Sequence, residues 1–296
     1  MANHYKKRNE WGNSVFQELN GYTIQLKKAH DFSWLQSYGK VFAVFDQQDS
    51  GNISFGIQSG QKRYFIKYAG AETINGSNTT SEAIQQLKEA KQVYEDLHHP
   101  TLITYIEAIE RPSGYALVFS WTDGENLHPH WKFPPPEKYT HPDSPFYRFK
   151  QLPFEKKRKA FIQILSFHQM VANKGYVSID FYDGSLMYNF KTNTMTICDI
   201  DFYSKTPYVN KRGTMWGSTR FMSPEEFERG AKIDQQTMVY TMGAMAFALF
   251  GGEQDRSREK WDASETLYQA SLKAVQANKR ERFSTVKDFL TCWEKE

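Results

Sequence analysis

The sequence predicts an α+β protein whose first part is mainly antiparallel strand and whose second part is mainly helix. Three observations carry this. Between Lys40 and Gly70 the short runs VFAVF, ISFGI and RYFIK are rich in β-branched and aromatic residues and are separated by small polar turns. Two further strand-like runs, TLITYIEAIE and GYALVFSW, follow before residue 122. From Glu155 onward the pattern becomes helical and includes TMVYTMGAMAFALF, which is apolar nearly all round, as a helix at the centre of a lobe should be.

The bulk properties narrow the function classes. A chain of 296 residues that is 40% apolar and 16% aromatic can build two compact lobes or one large domain, which excludes disorder. The net charge of +3 is small and its Lys and Arg are scattered, so no nucleic-acid partner is expected. The two cysteines, Cys198 and Cys292, have no metal-ligand spacing and fit a reducing cytoplasm. No apolar run spans a bilayer and MANHYKKRNEWGN lacks a secretion signal's apolar core, so the expectation is a cytoplasmic protein with no membrane partner.

In chain order, residues 1–36 form an extension in which ELNGYTIQLKKAHDFSW can hold one short strand and a turn. The strands GKVFAVFD, NISFGIQSG and KRYFIKYAG follow, joined by QQDSG and SGQ. Ser50 and Gly51 give the first turn the freedom to lay backbone N–H groups over an anion, and an ordinary hairpin turn accounts for them equally. Lys67 shares a face with Phe65, so either its cation faces a buried anion or the strand lies at a solvated edge. After the loop GAETINGSNTT, the segment SEAIQQLKEAKQVYEDLHH reads as a helix. Ser81 is its expected N-cap, Ile84, Leu87, Val93 and Leu97 its apolar side, Pro100 its stop, and Glu89 is placed to face back toward Lys67. The polar TDGENL suggests a crossing between two domains, 1–122 and 123–296. Residues 128–154 are rich in Pro, His and aromatics without a period. Because His128, His130 and His141 lack well-spaced partners, this stretch reads as an ordered surface insertion rather than a metal site. EKKRKAFIQILSFHQMVANKG is an amphipathic helix closed by Gly175, and the C-terminal part holds two or three helices.

The stretch SIDFYDGSLMYNFKTNTMTICDIDF places Asp180 and Asp199 on either side of two short apolar runs and a turn. Carboxylates delivered by neighbouring strand ends can divide two tasks, one accepting a proton from an attacking hydroxyl and the other holding a divalent metal against phosphates.

These residues together resemble the protein kinase family, in order, from about residue 38 to 293. FIKYAG is similar to the third-strand motif with Lys67 as the phosphate-pairing lysine, supported by Glu89, and LHHPTLI resembles the turn after the family's regulatory helix. YALVFSWTDGENL resembles the last upper strand and hinge, with Phe119 as gatekeeper and Ser120 to Thr122 as adenine-facing backbone. GYVSID resembles the catalytic loop, which makes Asp180 the base, and TICDID makes Asp199 the metal ligand. GSTRFMSPEEF resembles the segment ending in Pro-Glu, whose Glu225 pairs with the late Arg282. The resemblance implies a bilobal kinase-like fold, ATP and Mg²⁺ as cofactors, and a protein substrate with a Ser or Thr hydroxyl.

The departures bear on activity. Ser185 replaces the asparagine that binds a second metal, Tyr182 replaces a lysine near the transferred phosphate, and Ile179 replaces the arginine that answers a loop phosphate, so switching by loop phosphorylation is not expected. Asp183 and Asp201 are candidate extra metal ligands, and Ser50, Gly51 and Ser185 candidate nucleotide contacts. Met238 stands where the family carries an aspartate. Three readings follow: an atypical serine/threonine kinase, a pseudokinase that binds nucleotide or acts as a scaffold, and a kinase for a hydroxylated small molecule.

Overall fold

A computed structural model describes residues 14–48 and 50–296. Its contacts divide the chain into two compact units, residues 1–92 with 104–121 and residues 93–103 with 122–296. The α+β expectation holds, with the antiparallel sheet in the first unit and most of the helices in the second.

In the first unit, β1 (Val15–Leu19) and β2 (Tyr22–Leu26) form a hairpin where only one strand was expected. Its turn is Asn20-Gly21, with φ of +51° and +88°, a pair that the tight primed hairpin turns favour. β3 (Lys40–Phe45), β4 (Ile53–Ser59), β5 (Lys62–Ala69), β6 (Tyr105–Arg111) and β7 (Gly114–Ser120) build one antiparallel sheet in the order β3-β4-β5-β7-β6. Alternation along β5 divides its side chains between two faces. Ile66 and Tyr68 join a core with Ile24, Phe32, Trp34, Phe55 and Val118, so the N-terminal extension covers that face. Lys67 points to the other. It lies opposite Ser54 of β4 and Leu117 of β7, in the middle of the sheet rather than at an edge.

Helix α1 (Thr80–Asp96) begins one residue before the expected cap. Thr79 is the cap instead: its Oγ1 accepts the Glu82 N–H at 3.3 Å while Glu82 Oε2 accepts the Thr79 N–H at 2.9 Å, a reciprocal box that satisfies two end donors.

The second unit holds β8 (Glu125–Asn126), α2 (Glu137–Thr140), α3 (Pro145–Lys150), α4 (Phe154–Asn173), β9 (Tyr176–Val177), β10 (Leu186–Asn189), β11 (Thr194–Ile197), α5 (Gln235–Phe250), α6 (Glu265–Ala274) and α7 (Val286–Glu294). α5 is buried along nearly its whole length and is capped by Asp234. Rings of Phe161, Phe250, Trp261 and Trp293 pack between α4, α5 and α7. Residues 128–154, expected as an ordered surface insertion, are ordered but reach below the surface, since Phe133, Lys138, Ser144, Phe146 and Phe149 are all buried. Phe149 meets the ring of Tyr188 on β10 edge-on at 4.9 Å, which ties α3 to the strand leaving the Asp180 loop. Among the described residues, no helix is long and apolar enough to cross a membrane.

The Glu225–Arg282 pairing expected from sequence is present and bidentate, at 2.6 and 2.9 Å. Arg282 also donates to the carbonyls of Gln236, Gln276 and Ala277, and its side chain is fully buried. Arg282→Met leaves Glu225 and three carbonyls without that donor, so urea unfolding should show a loss of about 3–5 kcal/mol.

Candidate active site

The Asp180 loop joins β9 to β10. Ile179 and Phe181 are buried on either side of Asp180, which anchors the loop at both neighbours of the acid. Asp180 itself has φ of +59°, a left-handed conformation that Asp tolerates better than most residues but that persists only where neighbours impose it. Gly217 is one such neighbour. Its φ of +136° demands glycine, and a Cβ there would lie 3.4 Å from Asp180 Cα.

Asp199 follows β11, and the two carboxylate loops are stitched together directly below it: the Cys198 N–H donates to the Ser185 carbonyl at 2.9 Å. The turn after Asp199 is fixed from α1. The buried Tyr94 hydroxyl donates to Asp201 Oδ1 at 2.9 Å and accepts the Ile200 N–H at 3.3 Å, while the Asp201 N–H donates to Asp199 Oδ1 at 3.3 Å. Tyr94 lies on the buried side of α1 with Leu87, Ala90 and Leu97, and its spacing to Leu87 and Leu97 was the available signal for its burial. Burial first, and then the charges of Asp180 and Asp199 together, push the phenols of Tyr182 and Tyr203 up. Tyr203 is held by His168, whose Nδ1–H donates to the Ile164 carbonyl so that Nε2 accepts the Tyr203 hydroxyl at 2.8 Å. Burial lowers this imidazole to about 4, which keeps it neutral and in that tautomer.

Asp183 does not join Asp199 as a metal ligand. Its fully buried carboxylate accepts from Lys138 Nζ and, in a two-pronged contact, from Arg220 at 2.8 and 3.1 Å. Burial opposes its ionisation, but the Arg220 hydrogen bonds and the charges of Lys138 and Arg220 prevail and hold the carboxyl below its usual range. Glu253 completes the group by accepting from Arg220 and, at 2.7 Å, from the Tyr139 hydroxyl, with Lys138 Nζ at 3.6 Å. Asp201 is likewise engaged by Tyr94. Among the described residues no three His, Cys, Asp or Glu side chains gather to hold a metal, so Asp183, Asp199 and Asp201 are not a three-carboxylate site. Ser185 is different: its hydroxyl is buried with no hydrogen-bond partner, one backbone hydrogen bond from the Cys198–Asp199 turn. Asp199 and this orphaned oxygen fit one hard, oxygen-preferring cation such as Mg²⁺.

In the first unit the candidates behave unequally. Lys67 is buried, as expected for a cation that needs an anion. Glu89 does not reach it: the carboxylate is exposed and accepts from Gln85 at 2.8 Å, whereas Ala90 is the fully buried residue at that turn of the helix. One residue is a rotation of about 100° on a helix, enough to swing an acid from the inner face to solvent. Gly51, with φ of +81°, spends its N–H on the Gln48 carbonyl, and the Ser50 carbonyl accepts from Asn78, so the turn is closed on its own unit rather than open as an anion cradle. Phe119 is buried against Phe65 and Tyr105. The Ser120 N–H pairs with the Thr104 carbonyl, and Thr122 Oγ1 lies 3.4 Å from Thr196 Oγ1.

A family model for the protein kinase domain matches residues 49–293. This chain belongs to the protein kinase domain family. Over 214 residues it is 21% identical to the Arabidopsis thaliana protein named serine/threonine-protein kinase ATG1b, a match covering 68% of this chain and 28% of that relative. The kinase domain here thus spans little more than a quarter of the length of the curated relative it matches. A cavity of about 440 Å³ beside the insertion is lined by Tyr139, Tyr147, Lys150 and Glu253 among others, and by neither Asp180 nor Asp199. It gives no support to a small-molecule substrate held by the insertion.

Next to Glu225, Glu226 is buried and accepts the Ser223 N–H and hydroxyl at 2.7 and 2.9 Å. Burial dominates, raising its carboxyl to about 7. Because the folded value lies above the unfolded one, the unfolded chain binds fewer protons between pH 4.5 and 7, and stability falls with rising pH across that window and then levels. The contribution is up to about 3 kcal/mol. Glu226→Gln should flatten that part of a stability profile measured by denaturant titration from pH 4.5 to 8.

Proposed function

We propose that this kinase domain is an active phosphotransferase that moves the γ-phosphate of Mg-ATP to a Ser or Thr hydroxyl of a protein. The observation that carries the reading is the backbone hydrogen bond from Cys198 to Ser185, which joins the loop carrying Asp180 to the turn carrying Asp199, with Asp180 held in a left-handed backbone against Gly217. Asp180 accepts the proton of the attacking hydroxyl, a role general-base catalysis requires within hydrogen-bond reach of the nucleophile. Asp199 and Ser185 are the residues that would hold Mg²⁺, which supplies charge neutralisation at the phosphates when bound. Lys67 orients the α- and β-phosphates, as the family resemblance implies. Glu89 does not hold it there, since that carboxylate is exposed and accepts from Gln85. Positioning and charge stabilisation account for most of the rate in such a reaction.

A second reading, a nucleotide-binding module without transfer, draws support from the same unit that carries Lys67. Glu89 faces solvent and the Gly51 turn is closed, so two of the features that order a nucleotide for transfer are missing. Two variants separate the readings. Asp199→Asn should abolish the thermal stabilisation given by Mg-ATP, whereas Asp180→Asn should keep that stabilisation and lower labelled γ-phosphate transfer by at least about a hundredfold. Stabilisation of the wild type without transfer to protein would favour the binding module, and no stabilisation would sink both.

A further inference from the structure

The insertion at 128–154 reaches the segment that carries Asp180. It sends Lys138, a side chain with no solvent exposure, onto the carboxylate of Asp183, three positions beyond the base. Lys138 is itself fixed from both sides: its carbonyl accepts the buried Ser144 hydroxyl at 2.6 Å, and its ammonium lies 4.3 Å from the centroid of Phe146 and 4.9 Å from that of Tyr139. Arg220, from the segment that begins at Gly217, takes the other side of Asp183 and also donates to Glu253 and, through Nε, to Ser218 at 3.1 Å. Two cations and two carboxylates thus close into a neutral group drawn from four separate stretches of chain.

A group of this kind contributes little net stability, because desolvating four charges offsets most of their attraction. What it fixes is geometry. Asp183 sits in the short helical turn with Ser185, whose N–H donates to the Tyr182 carbonyl at 2.9 Å and whose carbonyl receives Cys198 below Asp199. Gripping Asp183 therefore sets both ends of the segment that carries Asp180 and Ser185, and Arg220 links the same grip to Gly217, which lies against Asp180.

We infer that Lys138 is a positioning residue for phosphoryl transfer: the insertion, through the Lys138–Asp183–Arg220–Glu253 group, holds the Asp180 loop in its reactive arrangement. This rests on the kinase reading above and adds a role for the insertion to it. In the full chain, Lys138→Met should lower kcat about ten- to a hundredfold while KM for Mg-ATP stays within about twofold, the mark of misplacement rather than lost binding. Since Lys138→Met leaves a buried carboxylate short of a partner and can unfold the protein, the double variant Lys138→Met/Asp183→Asn is measured beside it. That variant keeps the Arg220–Glu253 pair and removes one charge of each sign, so its melting temperature should recover while kcat stays low. A wild-type kcat in Lys138→Met, or a kcat that recovers with stability in the double variant, overturns the inference. If the wild type transfers no phosphate, it is the kinase reading that fails. Hydrogen exchange of residues 178–185 then decides: faster exchange in both variants upholds the positioning role, and unchanged exchange overturns it.

Discussion

The carboxylate of Asp183, sealed from solvent between Lys138 and Arg220, is the contact on which the arrangement of the second unit turns. An ionised carboxylate without partners could not be buried there, since desolvation alone would cost several kcal/mol. Its presence therefore obliges two cations to arrive from distant parts of the chain, and each brings its own backbone with it. Lys138 brings α2 and α3, which dock on β10 through Phe149. Arg220 brings the segment running from Gly217 to the Glu225–Arg282 pair, which is itself anchored under α5.

Asp180 and Asp199, the carboxylates proposed for catalysis, lie on the segments that this frame joins. Asp180 is bounded by buried Ile179 and Phe181 and by Gly217, and Asp199 by the Tyr94 hydroxyl and the Cys198–Ser185 link. Where the resemblance implies an arginine before the base, this chain has the buried, apolar Ile179, and Asp183, three residues beyond the base, takes the charges of Lys138 and Arg220. In the first unit, Glu89 of α1 faces solvent and accepts from Gln85.

How much of this was legible in the sequence depended on the range of the interaction. Asp180, Asp199 and Lys67 stand out because each sits in a short motif whose neighbours carry the pattern, and the Arg282–Glu225 pair could be matched in the same way. Lys138 could not, since it lies in an aperiodic Pro- and aromatic-rich stretch and its partner is 45 residues away. Tyr94 meets Asp201 across 107 residues, and only the spacing of the buried side of α1 hinted at it. Asp183 was misassigned for a related reason: an Asp-Gly pair after a catalytic base is compatible with a metal ligand, a turn or an ion pair, and only the arrival of two cations selects the last. The Glu89 error was one of register: strict spacing back from Pro100 points to Ala90, the residue the structure buries, and Glu89 fits only if the turn carries an extra residue.

The central claim is that internal charges, rather than an added phosphate, set the reactive loop. The most direct test is to treat the purified chain with a phosphatase until mass spectrometry finds no phosphate, remove the phosphatase, and measure the initial rate of labelled γ-phosphate transfer from Mg-ATP to a generic Ser/Thr protein substrate. The account predicts that the initial rate matches that of the untreated protein. A rate that vanishes on treatment and returns only after the segment around Gly217 to Ser223 is phosphorylated again would contradict it.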